Sequence, residues 1–261
     1  MLRILLERIR QGHRTIGFPS TPPTLPDRFR GAPVIDASKC PDGCRVCIDA
    51  CPTTAISTDD KGLKLDLGRC LFCTDCVEAC PADAIHYSNV FSLASRSRDD
   101  LVVRGEVTKR AAALDAKMKR LLGRSLKLRQ VSAAGCNACE ADVNVLNTVV
   151  FDLSRFGIQF VASPRHADGI LVTGPVSGNM KEALKITYDA VPEPKIVIAV
   201  GACAISGGPY AGHPEQNDGC GGSVPVDLYI PGCPPHPITI LDGLLRLLGR
   251  IEGVTVPPRS P

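Results

Sequence analysis

Residues 40–52, CPDGCRVCIDACP, and residues 70–81, CLFCTDCVEACP, repeat one pattern of cysteines. Each run ends in Cys-Pro, and the likeness continues past the proline, because CPTTAI at 51–56 corresponds to CPADAI at 80–85. Only the first interval differs, since CPDGC holds one residue more than CLFC. We expect that residue to bulge the loop without removing a cysteine. The repeat predicts two related units with four cysteines each.

The spacing of the repeat indicates ligands for 4Fe–4S clusters. Three closely spaced thiolates surround one cluster, whereas the fourth, which precedes a proline, serves the other cluster. We therefore predict two ligand sets. The first set is Cys40, Cys44, Cys47 and Cys80, and the second is Cys51, Cys70, Cys73 and Cys76. The alternative is a pair of zinc sites, but zinc does not call for a doubled run with a proline after each last cysteine.

Composition supports metal rather than disulfides. The 261 residues include 13 cysteines and are 44% hydrophobic, enough for one or two ordinary cores. The start, MLRILLERIR, interrupts its apolar residues with charges and does not resemble a secretion signal. No stretch approaches the roughly 20 apolar residues of a membrane-spanning helix. We therefore expect a reducing compartment, where clustered cysteines bind metal. Sparse aromatic residues and the lack of a reader motif argue against nucleic-acid binding.

The C-terminal half alternates strand-like and helix-like segments. Strands are predicted at 126–133, 158–163, 168–174, 195–201 and 226–232. Helices are predicted from about Glu140 to Arg155, over 180–191 with Asn179 as the cap, and over 238–251 as an amphipathic closing helix. The 140–155 prediction places Val143, Leu146, Val150 and Leu153 on one face. This alternation predicts a parallel α/β sheet with right-handed crossovers.

Cysteines follow three of these predicted strands. Cys136 and Cys139 follow the first, Cys203 follows the strand at 195–201, and Cys233 follows the strand at 226–232. Ligands bind outside the carboxyl ends of parallel strands, so the four thiols should meet on one rim and hold a third 4Fe–4S cluster. Glycines 201, 207, 208 and 232 would let the backbone approach that cluster. A redox dithiol, whose C-x-x-C would open a helix, and a zinc site are the alternatives.

The N-terminal half resembles bacterial-type ferredoxins. Its flanks, GFPSTPPTLPDRFRGAPVIDASKC (17–40) and FSLASRSRDDLVVRGEV (91–107), are similar to the ferredoxin-like subunit of complex I and of membrane-bound hydrogenases. In that subunit a Pro-rich arm and an FRG-type stretch precede the first cluster.

The C-terminal half resembles the small subunit of membrane-bound, energy-converting nickel–iron hydrogenases of the formate-hydrogenlyase type. The resemblance is carried by GCNACE (135–140), RFGIQFVASPRHADGILVTGPV (155–176), GACAISGG (201–208) and PVDLYIPGCPPHP (225–237). It implies a flavodoxin-like fold with a cluster in place of flavin, and a separate large subunit that carries the nickel–iron site. The related complex I subunit has two adjacent cysteines, so Cys136-x-x-Cys139 favours hydrogenase. The two subunits are usually separate chains and are joined here.

Four segments are expected from these resemblances. They are a basic helix and Pro-rich arm (1–30), a two-cluster ferredoxin domain (31–95), a basic helical linker (96–125) and a 4Fe–4S small-subunit domain (126–261). We expect the chain to relay electrons between a soluble donor or acceptor module and a hydrogenase-like large subunit. Membrane subunits would hold it, peripherally, at the cytoplasmic side of the inner membrane. A complex I-like reductase without nickel, a free-standing carrier and a redox sensor are the alternatives.

Charge is unevenly distributed along the chain. Residues 1–30 carry a net charge of +4 and residues 96–129 a net charge of +7, whereas 31–95 and 130–261 are each −4. Leu2, Leu5, Leu6 and Ile9 share one face of the first predicted helix. That face would lie on a membrane surface, on a membrane subunit or on the chain's own surface. Residues 107–123 are predicted to form a helical connector with a basic face.

Several further residues invite functional interpretation. Cys220 is expected to be a free loop thiol, with an alternative ligand or redox sensor as the other reading. Glu140 would form a polar contact at a subunit interface or join a proton path. His166 and His236 are expected beside the cluster-binding loops, and Arg165 would face a partner. TGPVSGN at 173–179 resembles a phosphate loop but lacks the Walker lysine.

Overall fold

The computed structural model describes residues 2–60, 62–104 and 111–252. It begins with helix α1 (Leu2–Gln11), as the charge pattern predicts. Within the described ranges, no helix is long and apolar enough to cross a membrane.

Two similar units form the N-terminal half. Strand β1 (Pro33–Ile35) leads into the first cysteine run and the single-turn helix α2 (Val46–Asp49). Strands β2 (Ile56–Asp59) and β3 (Gly62–Asp66) form a hairpin, and α3 (Asp75–Glu78) with β4 (Ile85–Tyr87) repeats the helix and strand. β4 pairs antiparallel with β1. Thr54 and Asp83, each three residues after the last cysteine of its run, both have φ of 51°, so the sequence repeat extends to the backbone.

The expected linker begins inside this first half. Strand β5 (Val102–Val103) pairs antiparallel with β3. Helix α4 covers only Ala116–Leu122, which is shorter than the predicted helix over 107–123; residues 107–110 lie outside the described residues. The helix starts late because Asp115 caps it and because the Leu114 N–H bonds to a carbonyl of a distant helix, which keeps the preceding backbone from coiling.

A five-stranded parallel sheet organises the C-terminal half. Its strands are β6 (Leu126–Ser132), β7 (Ile158–Phe160), β8 (Gly169–Thr173), β9 (Ile196–Val200) and β10 (Leu228–Ile230). They lie in the order β10-β9-β8-β6-β7, and all neighbours are parallel. This is the flavodoxin-like order, with the topological switch between β6 and β8. The predicted fold class is confirmed.

The helix predicted from Glu140 to Arg155 is wrong in its second half. Helix α5 covers Ala138–Val145, and a 3-10 turn follows at Leu153–Phe156. The chain turns back because the Leu153 N–H bonds to the Leu146 carbonyl at 3.0 Å. Leu146 and Leu153 are still buried, but Val150 is 40% exposed. The spacing therefore identified core residues that a folded-back turn, rather than one helix, brings together.

The cap of the next helix also differs from the prediction. Helix α6 (Gly178–Asp189) begins with Ser177 at its N-cap, so Asn179 lies within the first turn. The short helix α7 (Ala202–Ser206) follows β9 directly.

The closing helix α8 (Pro237–Leu247) ends four residues before the predicted end at 251, and it is buried along its whole length rather than on one face alone. Residues 91–94 cover the face that would otherwise meet solvent, and a Cβ at Gly243 would lie 2.8 Å from the Ala94 methyl. The two charged residues of this helix form an ion pair, in which Arg246 Nε donates to Asp242 Oδ2 at 2.8 Å. Both side chains are buried, 5% and 0% exposed.

Breaking this ion pair should destabilise the fold. Arg246→Leu would leave the Asp242 carboxylate buried without its guanidinium, which typically costs about 3–5 kcal/mol. Urea unfolding followed by circular dichroism under anaerobic conditions measures the change. Arg120→Leu, on the exposed surface of α4, is the matched control and should change the unfolding free energy by about 0.5 kcal/mol or less. Equal midpoints for the two variants would contradict this assignment.

Candidate iron–sulfur centres

The first predicted ligand set comes together at one end of the N-terminal half. Burial raises the pKa of the Cys40 and Cys47 thiols, and the neighbouring Cys44 and Cys80 raise both further. The extra residue of CPDGC forms a turn in which the Cys44 N–H bonds to the Pro41 carbonyl at 3.1 Å. The bulge therefore leaves Cys40 within reach of its three partners.

The second set lies deeper in the protein. Burial raises the pKa of Cys70 to about 12 and that of Cys76 to about 11. Cys51 and Cys73 are close to both thiols and raise both values further. The four cysteines predicted for the second cluster are thus neighbours in space.

Backbone amides point at sulfur atoms in both units. The Ala55 N–H donates to Cys51 Sγ at 3.2 Å, and the Ala84 N–H donates to Cys80 Sγ at 3.3 Å. The two bonds occupy the same position of the repeat, four residues after the fourth cysteine of each run. Such bonds favour the thiolate over the thiol and tune the potential of a bound cluster. The donor set and its hydrogen bonds therefore fit a 4Fe–4S cluster.

The third set meets at the carboxyl edge of the parallel sheet. Burial raises the thiol pKa of Cys139, and it raises that of Cys203 to about 11. The neighbouring Cys233 and Cys136 raise both pKa values further. The strand ends place these thiols together, as the position of each cysteine after its strand predicts. Cys136 and Cys233 are exposed, so this rim opens to the surface.

Two glycines shape the rim around its sulfur atoms. A Cβ at Gly201 would lie 2.5 Å from Cys139 Sγ, and a Cβ at Gly208 would lie 2.9 Å from Cys203 Sγ. Both have positive φ, which a side chain would strain. Glycines 207 and 232 meet other loop atoms instead, so the expected close approach to sulfur holds at two of the four positions.

The C-x-x-C pair opens a helix, which is the position that the alternative of a redox dithiol requires. Asn137 is the N-cap of α5, so Cys139 lies in its first turn. A reactive dithiol at that position needs a lowered thiol pKa. The Cys139 pKa is instead raised, by burial first and by the neighbouring thiols second. In the described part of the chain, no three His, Cys, Asp or Glu side chains are close enough to hold a single metal ion.

The three sets form a continuous series. The Cys76 pKa is raised first by burial and then by Cys73 and Cys51 of its own set. Cys47, of the first set, raises it further. Cys73 of the second set likewise contributes to the raised pKa of Cys233 on the rim. The second set therefore lies between the other two.

Glu140 is buried beneath the rim and not on a surface. Its Oε1 accepts hydrogen bonds from Ser132 Oγ at 2.6 Å and from Thr173 Oγ1 at 2.7 Å. Ser132 and Thr173 end β6 and β8, on either side of the topological switch. Sequence reasoning missed both residues, although their position at two predicted strand ends was a usable signal.

The structure also bears on the predictions for Cys220, His166 and His236. Cys220 is a free thiol in a loop, as predicted, but it is fully buried, and burial raises its pKa to about 12, which argues against a reactive sensor. Arg165 and His166 lie in the turn before β8, at the sheet edge opposite the thiols, so His166 is not beside a cluster-binding loop. His236 does adjoin the Cys233 loop, and its Nδ1 accepts from the Ile238 N–H at 3.1 Å.

Two family models match this chain. Residues 136–247 match the family described as "NADH ubiquinone oxidoreductase, 20 Kd subunit", and residues 31–84 match the "4Fe-4S dicluster domain". The first match contains the rim set and the second contains both sets of the repeat.

Similar proteins of known name are oxidoreductase subunits. The "Probable membrane-bound hydrogenase subunit mbhJ" of Pyrococcus furiosus is 39% identical over 56% of this chain and 89% of its own length. "Formate hydrogenlyase subunit 7" of Escherichia coli is 38% identical over 61% of this chain and 63% of its own. A subunit of the NADH-quinone oxidoreductase of Heliobacterium modesticaldum is 35% identical over 63% of this chain and 91% of its own.

Similar solved structures include the archaeal membrane-bound sulfane sulfur reductase. It is 34% identical and matches 52% of this chain and 75% of its own, with a TM-score of 0.45. From the matched family models and the identity to these relatives, the chain belongs to the family of the 20 kDa subunit of NADH ubiquinone oxidoreductase and of membrane-bound hydrogenases, preceded here by a 4Fe–4S dicluster domain.

Proposed function

We propose that this chain carries three 4Fe–4S clusters and relays electrons between a low-potential donor and the active site of a nickel–iron large subunit, in a membrane-bound hydrogenase complex. The observation that carries the proposal is the series of thiol sets, in which Cys47 is near enough to Cys76, and Cys73 near enough to Cys233, to raise that neighbour's thiol pKa. A carrier of one cluster would need no such series.

The cluster chemistry and the protein have separate roles. A bound 4Fe–4S cluster supplies one-electron transfer. The chain contributes the thiols, the amides that donate to sulfur and the packing that excludes water, since Cys47, Cys70 and Cys76 are buried. The exposure of Cys136 and Cys233 supports the rim as the face that a large subunit covers.

Metal content should follow the three sets. Twelve cysteines in sets of four predict about twelve iron and twelve acid-labile sulfide per chain by anaerobic analysis. Cys233→Ala should lose about four of each, because it removes a ligand of the rim set alone. Cys220→Ala is the matched control and should keep all twelve, since the buried Cys220 thiol adjoins none of the three sets. Stoichiometric zinc with little sulfide would overturn the cluster assignment.

The choice between hydrogenase and complex I-like function rests on the partner. Cys136-x-x-Cys139 resembles hydrogenase, whereas the matched family takes its description from NADH ubiquinone oxidoreductase. A reductase of the complex I type, with no nickel, is therefore the second candidate. The free-standing carrier is less well supported, because it leaves the open rim and the exposed apolar face of α1 without a role.

The reaction distinguishes these candidates. The complex purified through this chain should contain nickel and evolve hydrogen from a reduced low-potential donor. Cys139→Ser should stop turnover without releasing the large subunit, because Cys139 belongs to the rim set but is not exposed. A complex that lacks nickel and reduces a quinone would favour the complex I-like candidate.

Helix α1 supports attachment to a membrane subunit of the same complex, on the cytoplasmic side. Its five large apolar side chains are 56–79% exposed, and none of its residues is buried, so it does not pack on the chain's own surface. The following arm is fixed, since the Ile16 N–H bonds to the Val150 carbonyl at 2.9 Å. The helix thus presents an apolar stripe between arginines, next to an arm that is bonded to the rest of the chain.

Deleting residues 2–11 should release the chain from membrane fractions, because the deletion removes the apolar stripe and leaves Ile16 bonded. Leu5→Glu with Leu6→Glu should have the same effect, whereas Arg3→Gln with Arg10→Gln, which spares the stripe, should have a smaller one. Iron content measured in parallel shows whether the clusters are retained. Equal recovery of all variants in membranes would contradict this role, and binding to protein-free vesicles would indicate lipid as the occupant.

A further inference from the structure

The stretch Phe29-Arg30-Gly31 lies between two cysteine loops that belong to different ligand sets. The Phe29 ring meets the His236 ring edge to face, with centroids 5.3 Å apart. The next side chain points to the other loop, because Arg30 Nη1 donates to the Phe72 carbonyl at 2.7 Å. Two successive residues therefore contact the Cys233 loop of the rim and the Cys70–Cys73 loop of the second set.

The loop that Arg30 contacts has an unusual backbone. Phe72 has φ of 53°, a left-handed conformation that is strained for a residue with a side chain. Its N–H donates to Cys70 Sγ at 3.3 Å, and the Tyr87 hydroxyl donates to the Cys73 carbonyl. The Arg30 bond is the third contact that holds this conformation, in which Cys73 lies towards Cys233.

Arg30 also brings a permanent positive charge to this place. This charge is close enough to the Tyr87 hydroxyl to lower its pKa, and Cys70, Cys73 and Cys76 are close enough to the same hydroxyl to raise it. A cavity of about 250 Å³, lined by Arg30, Phe72, Cys233 and His236, separates the two loops. A nearby cation favours the reduced cluster, because reduction adds one negative charge.

We propose that Arg30 is a positioning residue for electron transfer between the second set and the rim, and that its charge raises the reduction potential of the cluster held by Cys51, Cys70, Cys73 and Cys76. The inference rests on the proposed function, because it requires clusters in both sets. The proposal gives the Phe29-Arg30-Gly31 stretch a physical role. Phe29 holds the Cys233 loop, whereas Arg30 holds the Cys70–Cys73 loop and raises the reduction potential of its cluster.

The test is a redox titration of the purified complex followed by electron paramagnetic resonance. In Arg30→Gln, one of three cluster potentials should fall and the other two should stay unchanged. The expected change in the one-electron equilibrium constant is about threefold to tenfold, and tenfold corresponds to about 59 mV. Arg30→Lys keeps the charge and should restore most of the potential.

Arg28→Gln is the matched control. Arg28 lines the same cavity and its substitution removes the same charge, but Arg28 has no bond to the Phe72 carbonyl. Unchanged potentials in Arg30→Gln, or equal shifts in Arg28→Gln, would overturn the inference. If Arg30→Gln loses iron, Arg30→Lys decides: a native potential supports the role of the charge, and a lowered one overturns it. Wild-type complex with fewer than three clusters would instead overturn the proposed function.

Discussion

The pairing of Ser95 with Tyr229 fixes the distance between the two halves of the protein. The Ser95 N–H bonds to the Tyr229 carbonyl at 3.0 Å, and the Tyr229 N–H bonds to the Ser95 carbonyl at 2.8 Å. Tyr229 lies in β10, four residues before Cys233. The chain runs into Ser95 from Tyr87, whose hydroxyl holds the Cys73 carbonyl. One short stretch of backbone therefore joins the second ligand set to the strand that carries the rim.

This pairing packs the two halves against each other, so they are joined by more than a tether. Residues 91–94 cover α8, and Ser206 Oγ donates to the Gly68 carbonyl at 2.8 Å across the same junction. On the N-terminal side of the junction, Arg98 forms a bidentate pair with Asp66, at 2.8 and 2.6 Å. Electron transfer depends on fixed separations between centres, so joining two subunits in one chain is useful only if the junction is packed. Among the described residues, two rim thiols and the apolar face of α1 are exposed, and these are the places where the proposed partners would bind.

Features set by local spacing could be predicted from the sequence. The cysteine repeat determines the sets around Cys47 and Cys76, and alternating strands determine the edge that holds Cys203 and Cys233. Features that depend on distant packing could not. The burial of α8 follows from residues 91–94, which lie far earlier in the chain, and Cys220 is inert because the fold buries it. The prediction of one helix over 140–155 was wrong because a turn and a helix place Leu146 and Leu153 in the core equally well. Arg30 was visible only as part of a motif, since its partner is a backbone carbonyl.

The central claim is that three clusters lie in series within one chain whose two halves are packed together. Crystals of the complex, with diffraction measured on both sides of the iron absorption edge, test it directly. The account predicts three iron peaks, beside Cys40–Cys80, beside Cys51–Cys76 and beside Cys136–Cys233, with the second peak between the other two. Iron missing from the rim, or a rim peak that appears only at the zinc edge, would contradict the account.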